Sequence, residues 1–182
     1  MFNIVIETER LFLREFTMDD AELIYDLNRD NEVTRFTLDP VLNIKQAADI
    51  LEKTIIPQYA LYNHGRWAIH LKEGLRFIGW CGLKARPELA EIDLGYRLRK
   101  EEWGKGYATE ASHACIRYGF EKLGLSHIIG RSLPANIASI RVLEKCGMSY
   151  RGEEMIEGLL HQTFDIFARS SSGSPAKIEG LN

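Results

Sequence analysis

Residues 92–111 read IDLGYRLRKEEWGKGYATEA. Ile92, Leu94, Tyr96 and Leu98 alternate with Asp93, Gly95 and Arg97, and Glu91 precedes them, so residues 91–98 read as a strand. From Ala108 the period changes. Ala108, Ala111, Cys115, Tyr118 and Lys122 form a helical stripe with Ala114 beside it. Gly104 and Gly106 stand between the two elements. Glycine costs about 1 kcal/mol relative to alanine inside a helix, so two of them at a helix entrance need a reason. A helix N-terminus presents unpaired N–H groups and the positive end of the macrodipole. A phosphate placed there gains several donors at once, and glycines let it touch the backbone. A tight turn, or close packing of strand on helix, is the alternative reading of the same pair.

Two known phosphate loops fail on these residues. A Walker A loop needs Gly-x4-Gly-Lys-Ser/Thr. Here Gly104-Lys105 is followed by Gly106, and the position five before Gly104 is Arg99. A dinucleotide fingerprint needs Gly-x-Gly-x-x-Gly early in a βαβ unit. Position 109 is Thr109, and the stretch lies past mid-chain.

A third pattern fits. The run at 92–111, followed about 25 residues later by PANIASIRVLEKCGM at 134–148, resembles the GNAT superfamily of acyl-CoA-dependent N-acetyltransferases. The opening TERLFLREFTMDDAELIYDL at 8–27 resembles the N-terminal strand and helix of the branch that contains the ribosomal-protein alanine N-acetyltransferases. Together the three segments cover roughly residues 7–169. The resemblance implies an acetyl-CoA co-substrate, no metal, and transfer of an acetyl group to a primary amine, on a protein N-terminus or a small molecule. A non-catalytic acyl-CoA-binding module or sensor is the alternative.

The resemblance also assigns residues. The family's pyrophosphate loop is Gln/Arg-x-x-Gly-x-Gly/Ala, and Gly106 and Ala108 fill its last two places. Trp103 stands where Gln or Arg is usual, a departure this branch shares. The backbone of Trp103, Gly104, Lys105, Gly106, Tyr107 and Ala108 would hold the diphosphate, with Lys105 a nearby cation. The strand before the loop splays from the next one, and residues near Tyr96 and Leu98 would pair with pantetheine. Asn136 matches the asparagine expected to bond the cofactor arm. The tyrosine that often serves as general acid is replaced by Leu143, which leaves Ser139 as the nearest hydroxyl on that helix. Asp93 falls where the branch often has an acid.

Other residues carry readings of their own. Glu91 and Asp93 lie two apart and share a strand face. Either is a candidate to deprotonate an incoming ammonium through a water, and a solvated face paired with Arg97 is the alternative. Arg141 reads as a ribose-phosphate contact or a surface salt bridge. Phe36, Tyr59, Tyr62 and Trp80 read as acceptor-site lining or core, and Tyr107, Tyr118 and Phe120 as core. The five histidines show no HxxxH or HxE spacing, which argues against a metal site.

Periodicity supplies the remaining elements. Residues 10–16 read as a strand. Thr17 with Asp20 makes a capping-box variant before a helix at 18–29. A second helix spans roughly 44–56, capped by Asn43 and limited by Pro57. Strands follow at 66–71 and 76–83, the latter apolar on both faces and therefore central. A strand at 127–133, a helix at 137–146, and strands near 148–155 and 160–168 joined around Glu157-Gly158 complete the pattern. The expected architecture is α/β (α+β): a mixed, mainly antiparallel sheet of about seven strands with four covering helices, in one domain at 1–169. Residues 170–182 are small and polar and are expected to form a disordered tail.

Composition excludes several classes. At 182 residues the chain suits one core, with 45% hydrophobic and 27% charged residues. Net charge is −3 and the sequence pI about 6.0, so no basic excess favours nucleic acid. This charge mildly suits cationic amines. Three widely spaced cysteines form no CxxC pair, which fits reduced thiols in a cytoplasmic protein. No apolar run approaches the roughly 20 residues of a membrane span, and no signal-peptide pattern opens the chain. A monomer and a homodimer are both compatible with these features.

Overall fold

Glycines, caps and alternation place the elements, and one sheet joins them. The computed structural model describes residues 3–156 and 158–169. The expected tail at 170–182 and Glu157 lie outside the described residues. The strands are β1 (Ile4–Glu7), β2 (Leu11–Arg14), β3 (Arg66–Leu71), β4 (Phe77–Arg86), β5 (Glu91–Leu98), β6 (His127–Ser132), β7 (Ser149–Ile156) and β8 (Leu159–Phe167). The helices are α1 (Ala21–Asn28), α2 (Asn31–Thr34), α3 (Ile44–Ile50), α4 (Ile56–Tyr62), α5 (Tyr107–Glu121) and α6 (Ile137–Lys145). The sheet runs β1-β2-β3-β4-β5-β6-β8-β7. Every neighbouring pair is antiparallel except β5–β6, which α5 connects.

Eight strands stand where about seven were expected. The addition is β1, an edge strand of four residues paired with β2. Four residues carry too little periodicity to be read alone, and β2 supplies the ladder that makes them a strand. Helix content also exceeds four, because α2 is a further single turn and the second helix does not stop at Pro57. A π-helical turn at Leu51–Ile55 precedes Pro57, and α4 continues to Tyr62. A proline removes a donor and crowds the preceding turn; a widened π turn accommodates both.

Each sheet face has its own core. Leu11, Leu13, Trp67, Ile69, Ile78, Leu83 and Leu94 pack with Ala111, Cys115 and Leu143 beneath α5 and α6. Phe16, Ile24, Leu27, Ala47, Leu51, Ala68 and Phe77 pack beneath α1, α3 and α4. The sheet is thus the middle of three layers, and β3 and β4 are covered on both faces. Asn43 caps α3 by accepting from the Gln46 N–H at 2.9 Å. Asp20 bonds back to the Thr17 N–H at 2.8 Å, closing the expected box.

Candidate active site

The parallel seam between β5 and β6 is short. Only Asp93↔Ile129 and Leu94↔Gly130 are in register, whereas β4 follows β5 to Leu98↔Gly79. Beyond Leu94, β5 therefore parts from β6, and residues 95–98 border a split in the middle of the sheet. The glycine loop follows directly. Gly104 and Gly106 take φ of +75° and +82°, a region that costs an L side chain roughly 1–2 kcal/mol. Gly106 is the N-cap of α5, and no side chain caps that helix. A 15-residue helix with uncapped first-turn N–H groups, entered through two left-handed glycines, has the donors to receive an anion. A Cβ at Gly104 would meet nothing within 4 Å, so the loop does not owe its glycine there to packing.

The loop is braced from three sides. Trp103 folds back, its indole N–H donating to the Leu98 carbonyl at 3.0 Å. Lys105 donates to Glu102 at 3.1 Å, and Glu102 also accepts from Arg76 at 2.6 Å. Glu102 is 2% exposed. Burial works to raise its carboxyl, but Arg76 and Lys105 prevail and hold it below the usual carboxylate range. The third brace has no signature in the sequence. Arg10, in the turn after β1, donates through its backbone N–H and Nε to Glu110 at 3.0 and 2.7 Å. It also donates to the Lys105 carbonyl at 3.1 Å, and its guanidinium stacks on the Tyr107 ring. Thr8 adds a 2.6 Å bond to Glu110. About a hundred residues separate these partners, so no local pattern announces the clamp.

On the α5–α6 side of the split, Tyr96, Ser139 and Asn136 come together. The Tyr96 hydroxyl lies 2.7 Å from Ser139 Oγ and 3.0 Å from the Ser139 carbonyl oxygen. Asn136 caps α6, its Oδ1 accepting from the Ser139 N–H at 3.2 Å. Leu98 and Leu143 are buried, and the Leu143 side chain fills the space a Cβ on Gly130 would enter.

Asp93 and Glu91 stand on the opposite face of β5, apart from Ser139. That face is not the solvated one paired with Arg97 that the sequence allowed, for Asp93 and Arg97 are both 8% exposed. Asp93 accepts from Arg66 at 2.5 Å, and the guanidinium lies so close over Gly95 that a Cβ there would meet it at 2.6 Å. Glu91 accepts from Arg131 at 2.8 Å, as does Glu154 at 3.0 Å. Arg97 reaches Asn28, with Thr37 at 2.7 Å and Asp39 at 2.8 Å. Trp80 takes Arg66 and Arg97 against its ring at 5.2 and 5.5 Å. Tyr59 is tied down by its hydroxyl, which donates to the Arg66 carbonyl and accepts from the Phe16 N–H. Among the described residues no group of three or more His, Cys, Asp or Glu is placed to hold a metal ion.

A parallel seam that splits beside an uncapped, glycine-entered helix is the arrangement that the resemblance implied, and comparison with known proteins supplies the family. The acetyltransferase (GNAT) domain family matches residues 10–149. An uncharacterised N-acetyltransferase, p20, of Bacillus licheniformis is 34% identical over 148 residues, covering 80% of this chain and 82% of that protein. The crystal structure of an acetyltransferase from Agrobacterium tumefaciens superposes with a TM-score of 0.79 at 25% identity, covering 92% and 97% of the two chains. A ribosomal L7/L12 α-N-protein acetyltransferase solved with coenzyme A shares the fold, with a TM-score of 0.78, 15% identity and coverage of 91% and 98%. The chain belongs to the GNAT acetyltransferase family. It is an acetyl-CoA-dependent N-acetyltransferase.

Proposed function

We propose that the protein moves the acetyl group of acetyl-CoA onto a primary amine, of a protein N-terminus or a small molecule, by direct attack of the amine on the thioester. The observation that carries this reading is the union of the open seam after Leu94 with the uncapped entrance of α5. One accepts an extended arm along β5, and the other accepts its diphosphate. In this reading the backbone of residues 103–108 receives the diphosphate and Lys105 adds a cation. The backbone near Tyr96 and Leu98 pairs with the pantetheine. Asn136 uses its oxygen for the helix cap and offers its amide N–H groups to the arm.

Acetyl transfer needs a neutral amine, a polarised carbonyl and a stabilised leaving group. A backbone N–H of β5 at the split serves the carbonyl. Ser139 gives a proton to the departing sulfur from the α6 side. Asp93 or Glu91, on the other face, takes the proton of the incoming ammonium through a water. The two faces then divide the work, with coenzyme A entering from one and the amine from the other. Three buried, free thiols suit a reducing cytoplasm, and among the described residues no helix is long and apolar enough to cross a membrane.

The test is a panel of peptide N-termini, polyamines and aminoglycosides incubated with acetyl-CoA and read by release of free thiol. The expected result is release well above acetyl-CoA hydrolysis with at least one amine, and loss of release when that amine is pre-acetylated. Thiol release that ignores the amine would sink the reading.

A further inference from the structure

We propose that Tyr96 is a positioning residue for acetyl transfer: its phenol holds the Ser139 hydroxyl so that the hydroxyl proton faces the departing sulfur. The proposal rests on the acetyl-transfer reading above. Tyr96 lies two residues past the last β5–β6 pair, so its ring stands at the split itself. Its hydroxyl crosses to α6, reaching Ser139 at both Oγ and the carbonyl oxygen. The Ser139 N–H is already committed to Asn136. Ser139 is thus held through its amide, its carbonyl and its hydroxyl, and the hydroxyl contact is the one that ordinary helix geometry does not supply.

The two hydroxyls have two arrangements, because the carbonyl only accepts. In one, the phenol donates to the carbonyl and the serine proton points back at Tyr96. In the other, the phenol donates to Ser139 Oγ and the serine proton points away. Negative charge gathering on a sulfur in the split selects the second. Burial drives the Tyr96 phenol far above its ordinary range, prevailing over the Ser139 hydrogen bond that lowers it. The phenol therefore stays protonated at neutral pH and remains a donor.

The step balances. The amine nitrogen bonds to the acetyl carbon, and the C–S bond breaks with its electron pair on sulfur. The sulfur takes the Ser139 proton, and the proton released by the nitrogen returns to Ser139 through solvent. While the Ser139 oxygen is electron-rich, the Tyr96 phenol donates to it, and a hydrogen bond to a charged group is worth roughly 10–100-fold in rate.

Tyr96→Phe deletes only the hydroxyl. On an amine that the wild type acetylates, kcat is expected to fall about 10–100-fold with the acetyl-CoA KM held within about twofold and the melting temperature unmoved. Ser139→Ala is expected to be slow as well, and the double variant no slower than Ser139→Ala alone. Ser139→Thr keeps a hydroxyl and is expected to remain sensitive to Tyr96→Phe. Wild-type kcat in Tyr96→Phe overturns the proposal, as does a Tyr96→Phe effect that persists in full on the Ser139→Ala background. A fall in kcat accompanied by matching shifts in KM and melting temperature marks a merely structural role and overturns it too. If the wild type releases no thiol with any amine, the acetyl-transfer reading falls and Tyr96 with it. Release by the wild type at a rate indifferent to Tyr96→Phe removes Tyr96 alone.

Discussion

Gly106 carries two demands at one position. Its φ of +82° sets the entry angle of α5, and its missing side chain keeps the first-turn N–H groups reachable. The nearest atom to a Cβ there is a terminal nitrogen of Arg10 at 3.5 Å, so alanine would meet no clash. Its cost is the left-handed backbone, roughly 1–2 kcal/mol. Gly106→Ala is therefore expected to lower the melting temperature by several degrees and to weaken acetyl-CoA binding sharply. Thermal melts with and without acetyl-CoA measure both effects. A variant that keeps the full ligand-induced rise would show that the diphosphate does not approach this backbone. Asp93 shows how a side chain's setting escapes residue-level reading. The alternation places it on a strand face, but Arg66, 27 residues earlier, decides what its carboxylate touches.

At the scale of elements, the entry to α1 is held by charge as well as by its cap. Asp20 accepts two 2.7 Å bonds from Arg14 and one of 2.8 Å from the Thr17 N–H. Both side chains of the pair are buried, 2% and 8% exposed. Burial works to raise the Asp20 carboxyl, yet the Arg14 and Thr17 bonds outweigh it and hold it below 3.8. A carboxyl lowered in the folded state binds its proton more readily once unfolded. Its stabilisation is complete above pH 3.8 and drains away as pH falls through the lower folded value. Asp20→Asn is expected to cost about 3–5 kcal/mol at pH 7, the usual penalty for removing one partner of a buried pair. It should also flatten the loss of stability below about pH 4. Urea titrations at neutral pH and at two acid values on both proteins test this, and parallel pH slopes would assign the acid sensitivity elsewhere. Pro57 carries a related lesson. A proline reads as a helix end, but the π turn before it lets the chain continue to Tyr62.

Across the whole molecule, the site belongs to no single layer. β5 separates Tyr96, Ser139 and Asn136 on the α6 side from Asp93, Glu91 and Arg97 on the other. A ligand threaded through the split would bind only the folded sheet. Acetyl-CoA at 100 times its Kd is then expected to stabilise the native state by about 2.7 kcal/mol, and a melting curve that ignores millimolar acetyl-CoA would count against the cradle. Tenfold steps in ligand should raise the stability in even increments, each about 1.4 kcal/mol once the site is saturated.

The residues whose meaning is local are legible in the chain alone. The strand at 91–98, the glycine loop, the start of α5, the Asn43 cap and the Thr17–Asp20 box each rest on neighbours within a few positions, where period and backbone preference leave their mark. The family resemblance adds the expectation of a splayed seam. Four things waited on the tertiary structure: β1, which needs the β2 ladder; the Thr8–Arg10–Glu110 clamp; the Arg66–Asp93 and Arg131–Glu91 pairs; and the Tyr96–Ser139 contact. An ion pair or hydroxyl contact between residues 27 to 102 positions apart leaves no periodic trace in the chain. Its partners are chosen by sheet register and by which helix covers which face, and those are settled only when the hydrophobic layers close.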